Sequence, residues 1–117
     1  LVDNAYSSNE AGLIQLLSDL GKIPGKKALI TPGIVELGSQ TKEVHQRIGQ
    51  LAAPIFEEVY LEGHSERTDS FNEGLLKLNK PPKVTFLDDP KQLWPVINKL
   101  SESYDWILLA NDLPDNY

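Results

Sequence analysis

Five short apolar runs alternate with four stretches of helical period, and this alternation constrains the fold of the 117-residue chain more than any other feature. The runs are Leu1-Val2, Lys27-Ala28-Leu29-Ile30-Thr31, Val59-Tyr60-Leu61, Val84-Thr85-Phe86-Leu87 and Trp106-Ile107-Leu108-Leu109-Ala110. Each is short and most are bounded by turn residues, as expected of strands buried on both faces. Between them, apolar residues recur every three or four positions. The stripes are Leu13, Leu16, Leu17 and Leu20; then Val44, Ile48, Leu51, Ala52 and Ile55. Phe71, Leu75 and Leu78 form the third, and Leu93, Trp94, Ile97 and Leu100 the fourth. This is the period of one helix face. Strands alternating with helices predict a parallel sheet with right-handed crossovers. The expected fold class is α/β: a three-layer, Rossmann-like domain with a mostly parallel sheet of about five or six strands and helices on both faces.

Start and stop signals place the helices. Asn9 can cap the first by accepting a first-turn N–H. Gly21 is a stop and Pro24-Gly25 a turn. Pro54 removes the bond to the carbonyl of Gln50, so the second helix should end or kink there. Ser70-Phe71-Asn72-Glu73 fits a capping box for the third, which leaves residues 62–69 as a polar loop. Asp89-Pro90 reads as an N-cap followed by Pro at the first helical position, although Pro95 disturbs the first turns. His45 falls between the apolar positions of its helix and is expected on the outside.

The length suggests one domain, residues 1–117, with no repeat. Met is absent even at position 1, so the chain reads as a fragment of a longer one. Cys is also absent, which leaves no disulfide framework and no thiolate metal site. No run of about 18 apolar residues is present and no signal peptide is visible, so a membrane role is not expected. The net charge is −6, and Lys26-Lys27 is the only adjacent basic pair. Phosphate neutralisation needs clustered Lys and Arg, so nucleic acid is a poor partner.

In an open α/β sheet, ligands collect outside the carboxyl ends of the strands. Two loops begin there just before helix patterns. One is Asp3-Asn4-Ala5-Tyr6-Ser7-Ser8-Asn9-Glu10, and the other is Thr31-Pro32-Gly33-Ile34-Val35-Glu36-Leu37-Gly38. At these residues the chain resembles the carboxy-terminal domain of Mur ligases, closest to the branch that adds D-alanyl-D-alanine. That branch typically reads Asp-Asp-Ser-Tyr-Asn-Ala-Asn-Pro in the first loop and Leu-Gly-Asp-Met-X-Glu-Leu-Gly in the second. The match follows element order over most of the chain, but its residues are concentrated before Ser39.

The resemblance implies part of an ATP-dependent amide ligase of cytoplasmic peptidoglycan precursor synthesis. A carboxylate is activated as an acyl phosphate, and an amino group then attacks it. ATP and Mg²⁺ would act in the full-length enzyme, with Mg²⁺ held mostly by a central domain that this chain lacks. The family's Gly-X-X-Gly-Lys-Thr/Ser loop is also missing here. The fragment is therefore expected to be inactive alone and to serve as a lid. Its implied partners are its own N-terminal and central domains, an amino acid or dipeptide, and a UDP-linked substrate. Carried over by position, Asp3, Asn4, Tyr6 and Asn9 fall on the nucleotide side. Glu36 and Gly38 fall on the substrate side. No catalytic residue and no metal ligand is assigned.

The departures from the family are specific. Ser7 stands where it has Asn, and Glu10 where it has Pro. Leu108-Leu109-Ala110-Asn111-Asp112 falls where it often ends a strand with Lys-Gly-Ser. The alternative is a non-catalytic α/β interaction module derived from such a ligase. His64 with Glu62, Glu66 and Asp69 invites a metal reading, but a polar loop without fixed period favours a solvated surface. Asp88-Asp89 does not make a receiver domain, because no acidic pair follows the first strand and no Lys follows the fifth.

Overall fold

Strand order decides where the helices of this chain lie. A computed structural model describes residues 2–3, 10–32 and 41–109. Its elements alternate throughout: β1 (Val2–Asp3), α1 (Glu10–Gly21), β2 (Lys27–Thr31), α2 (Thr41–Ala52), β3 (Glu58–Glu62), α3 (Glu66–Leu75), β4 (Lys83–Leu87), α4 (Leu93–Ser101) and β5 (Trp106–Leu109). The sheet has the order β1-β5-β2-β3-β4, with every pairing parallel. Four strands have four or five residues; β1, on the edge, contributes two.

The first three connections all step in one direction across this order, and the fourth steps back. Right-handed crossovers must then place α1, α2 and α3 on one face and α4 on the other. The core divides accordingly. Leu17, Leu20, Val44, Ile48, Phe71 and Leu75 pack with the sheet residues Leu29, Val59, Leu61 and Leu108. Ile97 and Leu100 of α4 pack with Ala28, Ile30, Tyr60, Ile107 and Leu109. Neighbouring residues of β2, β3 and β5 thus go to opposite cores, as the period of two requires. Every residue of β2 is buried, which explains its unbroken apolar run.

The closest helix contact is the α2–α3 crossing. A Cβ on Gly49 would collide with the carbonyl oxygen of Phe71 and lie 3.1 Å from Gly74 Cα. A Cβ on Gly74 would collide with the carbonyl oxygen of Gln46. The two glycines are reciprocal, and the backbones touch where side chains normally keep helices apart. The side chain of Gln46 also hydrogen-bonds Glu73 across the crossing.

Several expectations need correction. α3 starts at Glu66, not after Ser70. Its cap is Ser65, whose Oγ accepts from Thr68 N at 3.3 Å while Ser65 N donates to Thr68 Oγ1 at 3.0 Å. Polar residues at 65–69 look like a loop, but two of them form the capping box itself. Ser70 is buried inside the helix. Leu78 lies beyond the end of α3 and is exposed, as is Leu51 on α2. Trp94 is 62% exposed, because one helix covers its sheet face and Leu93 points its turn inward instead. His45 is fully buried. Asp89 caps a short 3₁₀ turn (Pro90–Gln92) rather than α4 itself, accepting from Lys91 N at 2.9 Å. α2 does stop at Ala52, two residues before Pro54.

Candidate functional site

Because all five strands are parallel, their carboxyl ends share one edge of the sheet. Read across it, the last strand residues are Asp3, Leu109, Thr31, Glu62 and Leu87. β5 separates β1 from β2, so the loops that follow Asp3 and Thr31 leave from strands on either side of it. At the ordinary interstrand spacing these exits are roughly 10 Å apart. Asp3 is paired in register with Leu109. Asn4, Tyr6, Asn9, Glu36 and Gly38 lie outside the described residues.

Thr31 is buried at the end of β2. The opposite, amino edge is tied down by polar contacts. Asp105 Oδ2 accepts from Lys26 N at 2.8 Å, which joins the entries to β2 and β5. Glu58 accepts from Tyr60 OH at 3.0 Å and from Tyr104 OH. Burial and the Glu58 bond push the Tyr60 phenol up to about 12 and raise Tyr104 as well. Both tyrosines therefore stay protonated as donors.

A second feature of the carboxyl edge was not foreseen from sequence. α3 leaves β3 toward one face, and α4 leaves β4 toward the other. The two strands stay paired to their last residues, Glu62 and Leu87, and only the loops that follow them diverge. A pocket of about 250 Å³ lies there, lined by Glu62, Gly63, Leu87, Asp88, Asp89 and Leu93. Gly63 shapes one wall. Its φ of 80° is in the left-handed region, and its N–H donates to Leu87 O at 2.8 Å. Thr68 Oγ1 donates to Gly63 O at 2.9 Å, which fixes the turn to the first turn of α3.

Among the described residues, three carboxylates line this pocket and no Lys or Arg does. Glu62 is partly buried, and burial raises its carboxyl above the ordinary range. Among the described residues, its Oε2 is enclosed without a hydrogen-bond partner, as are Arg67 Nε and Asn72 Oδ1 on α3. At the rim, His64 Nε2 lies 2.9 Å from Asp88 Oδ1, and the His64 ring stacks on Phe86 at 4.4 Å between centroids. Among the described residues, no group of three His, Asp or Glu side chains is placed to hold a metal ion. No helix among them is long and apolar enough to cross a membrane.

Over an alignment of 90 positions that takes in 74% of the chain, it is 36% identical to the UDP-N-acetylmuramoyl-tripeptide--D-alanyl-D-alanine ligase of Buchnera aphidicola subsp. Acyrthosiphon pisum. The matched stretch is the carboxy-terminal region of that protein and covers 20% of it. The chain therefore spans about a fifth of the length of this relative. No protein-family profile matches the chain.

Proposed function

We propose, proceeding from the kinship of this chain with the carboxy-terminal region of a Mur ligase, that it is the lid domain of an ATP-dependent amide ligase of peptidoglycan precursor synthesis. The carrying observation is the 36% identity over 90 residues, in a parallel α/β sheet whose strand ends face one way. That edge is where such a domain would meet the rest of its enzyme. ATP, bound mainly by the rest of the enzyme, would supply the phosphoryl group that activates the substrate carboxylate. The lid would cover the nucleotide, exclude water and hold the amino substrate, an amino acid or a dipeptide such as D-alanyl-D-alanine.

Asp3 would take the nucleotide role, a reading supported by its position at the end of β1 on this edge. A carboxylate there can accept both ribose hydroxyls. Asn4, Tyr6 and Asn9 would follow on the nucleotide side, and Glu36 and Gly38 on the substrate side. The other domains, Mg²⁺ and the UDP-linked acceptor belong to the same proposal, as does a cytoplasmic site of action. A second reading, a non-catalytic module derived from such a ligase, draws on one observation: Ala110-Asn111-Asp112 replaces the family's Lys-Gly-Ser after the last strand.

The test is ATP-dependent ligation by the full-length gene product, read as phosphate release that requires both UDP-tripeptide and D-alanyl-D-alanine. Activity is expected, and Asp3→Ala should lower it roughly tenfold or more if positioning is lost. Absence of release with every amino substrate would favour the non-catalytic module. Release that is unchanged in Asp3→Ala would remove the assignment of that residue.

A further inference from the structure

The outer strands of the sheet are unequal. β1 offers an edge of two residues, whereas β4 offers one of five, Lys83–Leu87. Among the described residues, β4 pairs with β3 alone. A row of unpaired backbone groups on a strand of this length is a template for another strand. Val84, Thr85 and Phe86 are also only partly buried within the single chain. We propose that β4 pairs antiparallel with β4 of a second copy of this chain, across a two-fold axis at Thr85, so that the two sheets become one.

Backbone parity and charge select this occupant. Lys83 N donates to Glu57 O at 3.1 Å, and Leu87 O accepts from Gly63 N at 2.8 Å, both on the β3 side. Backbone polar groups alternate sides along a strand, so Lys83, Thr85 and Leu87 turn theirs inward while Val84 and Phe86 turn theirs outward. With the axis at Thr85, Val84 lies opposite Phe86 of the second copy, and Phe86 opposite its Val84. These become the hydrogen-bonded pairs of an antiparallel ladder and satisfy every outward N–H and C=O of both residues. An axis at Val84 would set Phe86 against Pro82, which has no N–H. An axis at Phe86 would set Val84 against Asp88, beyond the end of the strand. The charges choose the same direction. Lys80 and Lys83 stand at the amino end of β4, Asp88 and Asp89 follow its carboxyl end, and all four are exposed. Antiparallel pairing brings the basic end of each copy to the acidic end of the other, whereas parallel pairing would set like charges together. Asp88 also holds His64 within its own chain. Across the axis, Phe86 meets Val84 and Thr85 meets Thr85, both favourable cross-strand pairs.

The pairing runs sideways from the sheet and leaves its carboxyl edge open, so it stands apart from the ligase reading and its test involves no ligation. Sedimentation equilibrium of the full-length gene product is the measurement, and a monomer–dimer equilibrium is expected. Thr85→Lys and Thr85→Glu each set like charges across the axis and should raise the dissociation constant at least about tenfold. Mixed in equal amounts, the two variants should form a dimer again, because opposite charges then face each other. If either variant loses its cooperative urea transition, Lys83→Glu decides instead. Lys83 is exposed, and the reversal sets it near Asp89 of the second copy, so the dimer should weaken several-fold. A wild type that stays monomeric at every concentration would overturn the pairing and leave the edge to water or to an extended segment of another protein. A dimer that keeps its affinity in the deciding variants, or Thr85 variants that fold but do not recombine, would overturn it as well.

Discussion

The two ends of α3 follow opposite rules. At its carboxyl end, Gly74 lies so close to α2 that one added methyl has nowhere to go. At its amino end, Glu62 and Gly63 border a pocket of about 250 Å³ and leave a carboxylate oxygen without a donor. Interiors are ordinarily packed as tightly as organic crystals, so the first end is ordinary packing carried to its limit. The second end departs from it, where the loops after β3 and β4 leave toward opposite faces. The difference teaches that α3 is clamped at one end and props a crevice open at the other. Stability and an open pocket are thus divided along one ten-residue helix.

The largest test of this contrast is at the closed end. Gly74→Ala and Gly49→Ala should each lower stability by about 3 kcal/mol or more, since backbone rather than a flexible side chain stands in the way. That is a large share of the ~5–15 kcal/mol typical of a domain. The urea midpoint measures it. A change below about 0.5 kcal/mol would mean that the helices slide apart freely, and the closed end would not be closed.

At the open end, Ser65→Ala should cost about 1 kcal/mol, the usual weight of an N-cap side chain. Ser65 Oγ accepts from Thr68 N, and Thr68 in turn holds Gly63 O, so the cap and the pocket wall are one unit. Urea unfolding should therefore show a loss clearly smaller than that of Gly74→Ala. The amide of Gly63 should shift as well. A loss without any change at Gly63 would separate the cap from the pocket.

How much of this was legible in the sequence depends on the range of the interactions. Element order and most strand bounds were readable, because an apolar run such as Lys27–Thr31 records burial on both faces locally. The α3 start was not, since Ser70-Phe71-Asn72-Glu73 fits the capping-box pattern, whereas the box that forms, Ser65 with Thr68, lacks the Glu or Gln of that pattern. Buried Ser70 settles it: a residue facing the core cannot also cap from outside. Trp94 was placed in a stripe by periodicity, but the stripe cannot say how wide the covered face is. The glycines at 49 and 74 carried a usable signal, as an isolated glycine inside a helical pattern often marks a close approach. The pocket carried none. Glu62 and Asp88 are 26 positions apart in the sequence, and only the strand order makes their loops neighbours. The loops after Asp3 and Thr31 remain readings of sequence, since residues 4–9 and 33–40 lie outside the described part.

The finest test concerns Glu62 alone and has the opposite sign from the others. Burial raises its carboxyl pKa in the folded chain, so the fold favours the protonated form. In acid, below the unfolded value near 4.3, both states are protonated and the group costs nothing. As pH rises past that value the unfolded chain ionises first, and stability is lost until the folded chain ionises too. Glu62→Gln carries no such charge. Its thermal midpoint should match the wild type at about pH 3 and exceed it slightly at pH 7, with the gap opening between. If Glu62→Gln were instead less stable at pH 7, the carboxylate would already have its donor within the fold. The amino end of α3 would then be as closed as the carboxyl end, and the contrast between them would fail.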